Sequence, residues 1–316
     1  MNYYDIPCTN PWWNMAFDEW LLQNGPDEPV FRLWRNEPSV IIGHNQVAAQ
    51  EVNLEYLQQH GIKLARRVTG GGAVYHDLQN MNYSFAGPIG SLAAPEATAS
   101  DPVRSCAAHP SQPDGWAPPS NDAEGGTPLG GSTSGAASAP LESSASGAPG
   151  GAALFASALR SLGVPAELSG RNDIFVEGRK ISGYARSVWH NRELVHGTLM
   201  YNVDIDTLTA ALNVEGSSKL NLKGVASVRS RVTNVRDYLP QFSSLDELQS
   251  ALQATLMKVQ NQPKMHFDPL RKPGESAKSA ENELSPSRLE LSKSQLTEID
   301  KLASEKFASS DWIYKQ

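Results

Sequence analysis

The chain has 316 residues, 40 % of them hydrophobic, a net charge of −7 and two cysteines. That is enough apolar material for one large or two moderate cores, while the acidic balance argues against general nucleic-acid binding and two isolated thiols exclude a disulfide scaffold or a cysteine-built metal site. No apolar run is long enough to span a bilayer, and the N-terminal MNYYDIPCTNPWW lacks a charged start followed by an apolar segment, so a cytoplasmic setting is expected.

In chain order, NPWWNMAFDEWLL opens a first helix with Asn10 as cap and Pro11 at its first position. FRLWR and PSVIIGHNQ read as two adjacent strands joined by a Pro-led turn, VNLEYLQQHG as a helix closing at Gly61, and IKLARRV as a strand. AVYHD and MNYSFAG continue as strand, turn and strand. Residues 91–150 are mostly Ala, Ser, Gly and Pro, too poor in large apolar side chains to offset ordering, and are expected to form a disordered insertion. ALFASALRSLG predicts a helix ending at Gly163. NDIFVEGRKISGYARSVW and ELVHGTLMYNV predict antiparallel strands, with a tight turn at Glu177-Gly178 and a break at His190-Asn191. Three helical patterns follow, in IDTLTAALNV, in SLDELQSALQATLMKVQ with Ser244 as cap, and in LSKSQLTEIDKLASEKFAS, with a polar linker over 268–287. There is no internal repeat. Hairpins with helices between them predict an α+β fold with a mixed, largely antiparallel sheet and flanking helices.

The stretch RRVTGGGAVYHD, residues 66–77, sets three glycines beside two arginines. An ordered chain keeps such a triplet where positive φ or close backbone approach is needed, and successive backbone N–H groups in a glycine turn form an anion-holding nest. Arg66 and Arg67 can both pair with phosphate or carboxylate oxygens. A hairpin turn is the plainer alternative. The triplet matches neither the dinucleotide fingerprint nor the phosphate loop of P-loop enzymes.

A second group lies in NDIFVEGRKISG, residues 172–183. Lys180, a compact cation with three donors, suits holding a carboxylate and a phosphate oxygen together. Asp173 suits either Mg²⁺ beside a nucleotide or a turn cap. In HGTLMYNV, His196 reads as a general base or, more plainly, as a histidine hydrogen-bonded within the sheet, and His76 is read the same way. The stretch Lys219 to Arg236 carries five cations and no acid, which is either a solvated basic face or a docking surface for an acidic partner or anionic ligand.

Taken in order, PSVIIGHNQ, RRVTGGGAVYHDLQNMNYSF, RNDIFVEGRKISG, HGTLMYNVD and KGVASVRSRVTNV resemble the catalytic domain of the lipoate-protein ligase A family, within the wider biotin and lipoate ligases. The resemblance runs from about Asn10 to Tyr238, without the insertion. It implies the biotin/lipoate ligase catalytic fold, with residues 1–90 and 151–262 as the catalytic domain, 91–150 as the insertion, and 263–316 as a linker plus a terminal helical segment closing the domain. It implies ATP, Mg²⁺ and lipoate as ligands, a lipoyl-AMP intermediate, and transfer to a lysine of an acceptor domain. The expected acceptors are the E2 subunits of 2-oxoacid dehydrogenases and the glycine-cleavage H protein, with no nucleic-acid or membrane partner.

Residue by residue, the resemblance assigns nucleotide and substrate contact to Arg67, Gly72, Ala73, Val74, Tyr75, Asn172, Asp173 and Lys180, makes Lys180 the catalytic lysine, and leaves Asp173 as the metal candidate. The family has glycine where this chain has Gln79, which implies strain if that position needs positive φ. KFASSDWIYKQ resembles the closing segment of the family's large domain, and the small C-terminal accessory domain is expected to be absent, to be supplied by a separate protein, or to be missing because the sequence is truncated. Three other activities fit less well. They are a lipoyltransferase using preformed lipoyl-AMP, an octanoyl or lipoyl transferase working through a cysteine, for which Cys8 and Cys106 are poorly placed, and a non-catalytic binding protein. Biotin ligation uses another loop pattern.

Overall fold

The computed structural model describes residues 1–92, 150–168, 172–212, 232–259 and 286–315. Met1–Pro95 and Ser144–Gln316 belong to one compact unit, and residues 96–143 lie outside the described residues. So do most of the predicted insertion, most of the predicted 268–287 linker, and the Lys219 to Arg231 part of the basic stretch.

The compact unit is built on an eight-stranded sheet. Its strands are β1 (Asn2–Tyr4), β2 (Val30–Trp34), β6 (Asn80–Pro88), β7 (Glu167–Leu168), β8 (Asp173–Val176), β9 (Arg179–Trp189), β10 (Arg192–Met200) and β11 (Arg288–Leu289). Their order is β11-β1-β2-β6-β10-β9-β8-β7. The first three are mutually parallel and every other neighbour pair is antiparallel. The remaining strands, β3 (Ser39–Ile42), β4 (Lys63–Arg66) and β5 (Val74–His76), form a separate sheet in the order β4-β3-β5. The architecture is α+β with mixed, largely antiparallel sheets, as the sequence predicts.

One expectation is corrected. FRLWR and PSVIIGHNQ do become strands, but β2 and β3 belong to different sheets. Between them Asn36, fully buried, turns its amide inward to Asn14 and His76, so the chain crosses between layers instead of folding back as a hairpin. The hairpin of β8 and β9 is as predicted, with Glu177 and Gly178 at φ 51° and 75°, the left-handed pair that matches strand twist.

The helices are α1 (Pro11–Asn24), α2 (Ala48–Glu51), α3 (Leu54–Gln59), α4 (Gly150–Ser161), α5 (Ile205–Ala211), α6 (Leu245–Val259), α7 (Lys293–Leu302) and α8 (Ser310–Ile313). Asn10 caps α1 by accepting from the backbone N–H groups of Trp12 and Trp13, and Ser292 caps α7 through a reciprocal box with Gln295. Near the chain's end, Trp312 Nε1 donates to the Arg66 carbonyl and Lys306 pairs with Glu19 of α1 at 2.7 Å.

Alternation along β6 and β10 gives the large sheet two different faces. Met81, Tyr83, Phe85, Val195 and Leu199 point to a core shared with α4 and α6, where Tyr83 stacks on Phe155 at 3.9 Å. Asn82, Ser84, His196 and Thr198 point the other way, toward α1 and the small sheet. Register pairing sets them in two rows, Trp34–Asn82–Thr198 and Arg32–Ser84–His196–Ala185. Directly paired residues share a face, so the topology collects polar groups opposite an apolar core.

Candidate functional site

An open cleft lies between that polar face and the small sheet. Trp34, Asn82, His196 and Thr198 line it from the large sheet; Ile41, Val74 and His76 line it from the small one. The glycine loop contributes Gly72 and Ala73, and β8–β9 contribute Asn172, Lys180 and Gly183. Sequence-distant motifs therefore converge on one site, with an exposed mouth at Lys180 and Asn172 and an inner end at Met15, Trp34 and His76, all buried.

Lys180 is 34 % exposed, and its ammonium lies 2.6 Å from a carboxylate oxygen of Asp173. Its neighbour in space is Gly183, where an added Cβ would come within 3.0 Å of the Lys180 nitrogen and 3.6 Å of the Asp173 oxygen. The missing side chain is what gives the ammonium its seat. The Lys180 carbonyl accepts from the backbone N–H of Thr233 at 2.9 Å, and Val232 bridges Lys180 as a parallel partner. The described end of the KGVASVRSRVTNV motif thus holds the lysine's backbone in place.

The two adjacent arginines do different work. Arg66 is fully buried and gives its guanidinium to six backbone carbonyls, three in the loop after β3 (Gly43, His44, Gln46) and three near the chain's end (Trp312, Ile313, Lys315). It is a structural clamp, and the expectation that it faces an anionic ligand is corrected. Side chains alternate along a strand, so consecutive arginines face opposite ways.

Arg67 lines the cleft and is 7 % exposed. Its donors reach the carbonyls of Ile41, Gly70 and Gly72 and the hydroxyl of Thr69. Gly71 takes φ 94° in the loop this guanidinium gathers, a conformation that only glycine adopts without strain. Burial lowers the Arg67 pKa to about 10, so the group stays cationic at neutral pH. No ion pair to it exists among the described residues, which leaves a buried positive charge beside the cleft, a setting that favours an anion.

Thr69 Oγ1 lies 2.7 Å from His196 Nε2, and His196 Nδ1 lies 2.8 Å from Asp18 Oδ2. The Asp18 carboxylate can only accept, so His196 Nδ1–H donates to it, and in that tautomer of the neutral ring Nε2 accepts from the Thr69 hydroxyl, whose oxygen in turn accepts from Arg67. Asp18 also accepts from Ser84 at 2.8 Å and faces Arg32 at 3.7 Å. His196 is therefore held on both nitrogens within a buried network, the plainer of its two sequence readings. His76 is neutral, its pKa lowered to about 3 by burial and then by the nearby Arg67 charge.

Tyr75 departs from its assignment. Its side chain joins Val40, Ile42 and Leu57 on the far side of the small sheet, and its neighbours Val74 and His76 line the cleft instead. Burial raises its pKa to about 12. Gln79 is not strained, since among the described residues only Glu177 and His190 are non-glycine residues with positive φ. The turn is held by Asp77, which accepts from the Gln79 N–H at 2.8 Å. Asp173 is committed to Lys180, and no cluster of three His, Cys, Asp or Glu able to hold a metal exists among the described residues.

Sequence reasoning missed Asp18, Trp34, Thr69, Asn82 and Gly183. A signal was present for Asn82, because NMNYSF alternates polar and apolar strictly and so marks a polar sheet face. Asp18 sits in an apolar helix with no motif around it.

The protein-family model for the lipoyl protein ligase A/B catalytic domain matches residues 10–96 and 151–257. The chain belongs to this family. It is 34 % identical over 241 residues to lipoate-protein ligase LplJ of Bacillus subtilis, covering 76 % of this chain and 57 % of that protein. It is 34 % identical over 250 residues to lipoate–protein ligase 1 of Staphylococcus aureus, covering 78 % and 60 %. The chain thus spans less than two thirds of the length of these relatives. Among solved structures, a bi-partite lipoate protein ligase from Thermoplasma acidophilum superposes with a TM-score of 0.65 at 23 % identity, covering 99 % of this chain and 95 % of that one. A lipoate-protein ligase A bound with ATP gives 0.62 at 23 % identity, covering 99 % and 98 %. These likenesses establish the lipoate ligase fold. No helix among the described residues is long and apolar enough to cross a membrane.

Proposed function

We propose that this chain is a lipoate-protein ligase that activates lipoate with MgATP and passes the lipoyl group to a lysine of an acceptor domain. The observation that carries the reading is the ammonium of Lys180 at the mouth of a cleft whose wall holds the buried cation of Arg67, which has no ion pair among the described residues. Two cations at the cleft suit an acyl acid whose charged end must be held against a phosphate.

In the first step a carboxylate oxygen of lipoate attacks the α-phosphorus of ATP, an oxygen–phosphorus bond forms, and pyrophosphate leaves. In the second, the neutral amine of the acceptor lysine attacks the acyl carbon, AMP leaves with the bonding pair, and the amine loses a proton to water. The mixed anhydride already carries a good leaving group, so no protein nucleophile is required. Lys180 would stabilise charge on the carbonyl and phosphate oxygens, in the manner of an oxyanion hole. Arg67 would act through the charge it places beside the cleft and through the loop it shapes, with Gly72, Ala73 and Val74 supplying backbone or van der Waals contact and Asn172 a polar contact at the mouth. Mg²⁺ would enter bound to the nucleotide phosphates, with Asp173 as the nearby carboxylate.

Relatives at 34 % identity named as lipoate-protein ligases support the reading. A transferase working through Cys8 is disfavoured, because Cys8 does not line the cleft and burial raises its thiol pKa, while Cys106 lies outside the described residues. The proposed acceptors are E2 lipoyl domains, the class of domain named with the T. acidophilum ligase, and by extension the glycine-cleavage H protein. A separate accessory protein and a cytoplasmic setting belong to the same proposal.

The test is acceptor mass after incubation with ATP, Mg²⁺, lipoate and an apo lipoyl domain, beside a second reaction given preformed lipoyl-AMP. Modification in both supports the ligase. Modification only with the preformed adenylate would reassign the chain as a transferase that takes its activated acyl group from elsewhere, and modification in neither would overturn the reading.

A further inference from the structure

Two buried nitrogens on residues lining the cleft lack a hydrogen-bond partner among the described residues: His76 Nε2 and Asn82 Nδ2. The identity of His76 as a donor follows from its other bonds. Arg32 donates to Asn14 Oδ1; Asn14 Nδ2 donates to Asn36 Oδ1 at 2.8 Å; Asn36 Nδ2 donates to His76 Nδ1 at 3.0 Å. The Asn14 amide is oriented independently, since its nitrogen also donates to the Cys8 carbonyl at 2.9 Å. His76 Nδ1 is thereby an acceptor, and the proton of the neutral ring sits on Nε2. Asn80 Nδ2 donates to Asn82 Oδ1 at 2.9 Å, which leaves the Asn82 amide nitrogen, and Asn80 Oδ1 on the other side of the pair, without partners among the described residues.

The two residues are 3 % and 1 % exposed and both neighbour Trp34. The Trp34 ring meets the His76 ring edge-on at 6.2 Å, and Trp34 is the register partner of Asn82. An unmet buried donor carries a desolvation cost comparable to a lost hydrogen bond, and a site that keeps two is poised for an acceptor. The rest of the inner end is apolar, formed by Met15, Trp34 and Ile41, and Met15 is the flexible side chain whose movement would admit a ligand.

We propose that His76 and Asn82 select the far end of the acyl substrate, receiving a weak acceptor such as a ring sulfur and so favouring a dithiolane-bearing acid over a straight alkyl acid of equal chain length. The inference rests on the ligase reading above. The charged end of the acid goes to the cations, which leaves the uncharged end for the inner cleft. Sulfur suits it because it accepts a hydrogen bond yet loses little on leaving water, whereas a hydroxyl would pay more to enter among apolar walls.

The experiment compares lipoate with octanoate. It measures kcat/KM for pyrophosphate release and binding by calorimetry in the wild type, in Asn82→Leu and in His76→Phe. The wild type should prefer lipoate, and each replacement should cut the lipoate-to-octanoate ratio by about fivefold to tenfold, the loss falling mainly on lipoate. An unchanged ratio, or equal loss for both acids, would overturn the inference.

If His76→Phe fails to fold, Asn82→Leu and the imidazole ¹⁵N spectrum of the wild type decide. A protonated Nε2 whose resonance moves with lipoate and not with octanoate supports the assignment, and a protonated Nδ1 or equal movement refutes it. A wild type that adenylates both acids equally would defeat this inference alone. One that releases no pyrophosphate with either acid would defeat the ligase reading, leaving binding and the spectrum to judge the two donors.

Discussion

The two ends of the cleft are built from opposite materials. At the mouth, Lys180, Asp173 and Asn172 are partly or largely exposed, charged or strongly polar, and seated on a hairpin that includes a register shift at Ile174/Phe175. At the inner end, Trp34, His76 and Asn82 are buried, neutral, and fixed in register by central strands or by the small sheet. The difference teaches which end performs which task. A charged group that must meet successive oxygens during a reaction gains from remaining partly solvated and adjustable, whereas discrimination between similar tails needs rigid, desolvated contacts whose mismatch is costly.

The sharpest way to break that division is at the mouth. Lys180→Ala should lower acceptor modification by about 10²–10³-fold, the range for removing one preformed stabilising donor. Because Lys180 is a third exposed, the thermal midpoint should hold, read by calorimetry beside the activity. Near-normal turnover would show that the mouth does not carry the chemistry.

A purely structural contrast comes next. Arg66→Ala strips six backbone carbonyls of their partner, with an expected loss of about 3 kcal/mol or more in urea denaturation, and Arg66→Lys should not restore it because an ammonium cannot span both groups of carbonyls. A fold unaffected by Arg66→Ala would return that residue to the list of ligand contacts.

Gly183→Ala tests the seat of the ammonium. The new methyl would press on the flexible tip of Lys180 and not on backbone, so stability should change little while turnover falls by about tenfold through misplacement of the cation. Loss of folding instead would mean that the space serves packing.

At the inner end the sign of a pH effect is set by His76. Its folded pKa, about 3, lies below the ordinary 6.5, so the unfolded chain binds the proton first and stability falls as pH drops from about 6.5 toward 3. This group alone should cost about 1 kcal/mol between pH 6 and pH 5. Denaturation of wild type beside His76→Phe isolates it, and parallel pH profiles would show that the ring is not kept neutral by burial.

Much of this was legible in the sequence, and the losses have physical causes. Caps, glycine stops and period-two runs located α1, α3, α4 and the β8–β9–β10 meander, since those signals are local. The partition into two sheets was not legible, because pairing between β3 and β4 or β5 is decided by tertiary packing around Asn36. Lys180 and the glycine loop stood out through residue type and spacing. Arg66 and Arg67 could not be told apart by type, only by which face of the strand each occupies. Asp18 was invisible because its meaning comes wholly from His196, 178 residues later.

The smallest predicted effect separates family pattern from physical need. Gln79 stands where the family resemblance implies glycine, yet Asp77 closes the turn by accepting from the Gln79 N–H, and the Gln79 carbonyl accepts from Tyr201 and Asn202 at 3.2 and 3.3 Å. With no positive φ to relieve, Gln79→Gly would add only unfolded-state freedom and should destabilise by about 0.5–1 kcal/mol. A stabilising result in urea denaturation would mean that the turn is strained after all, and that the backbone around Asp77 relaxes once the side chain is gone.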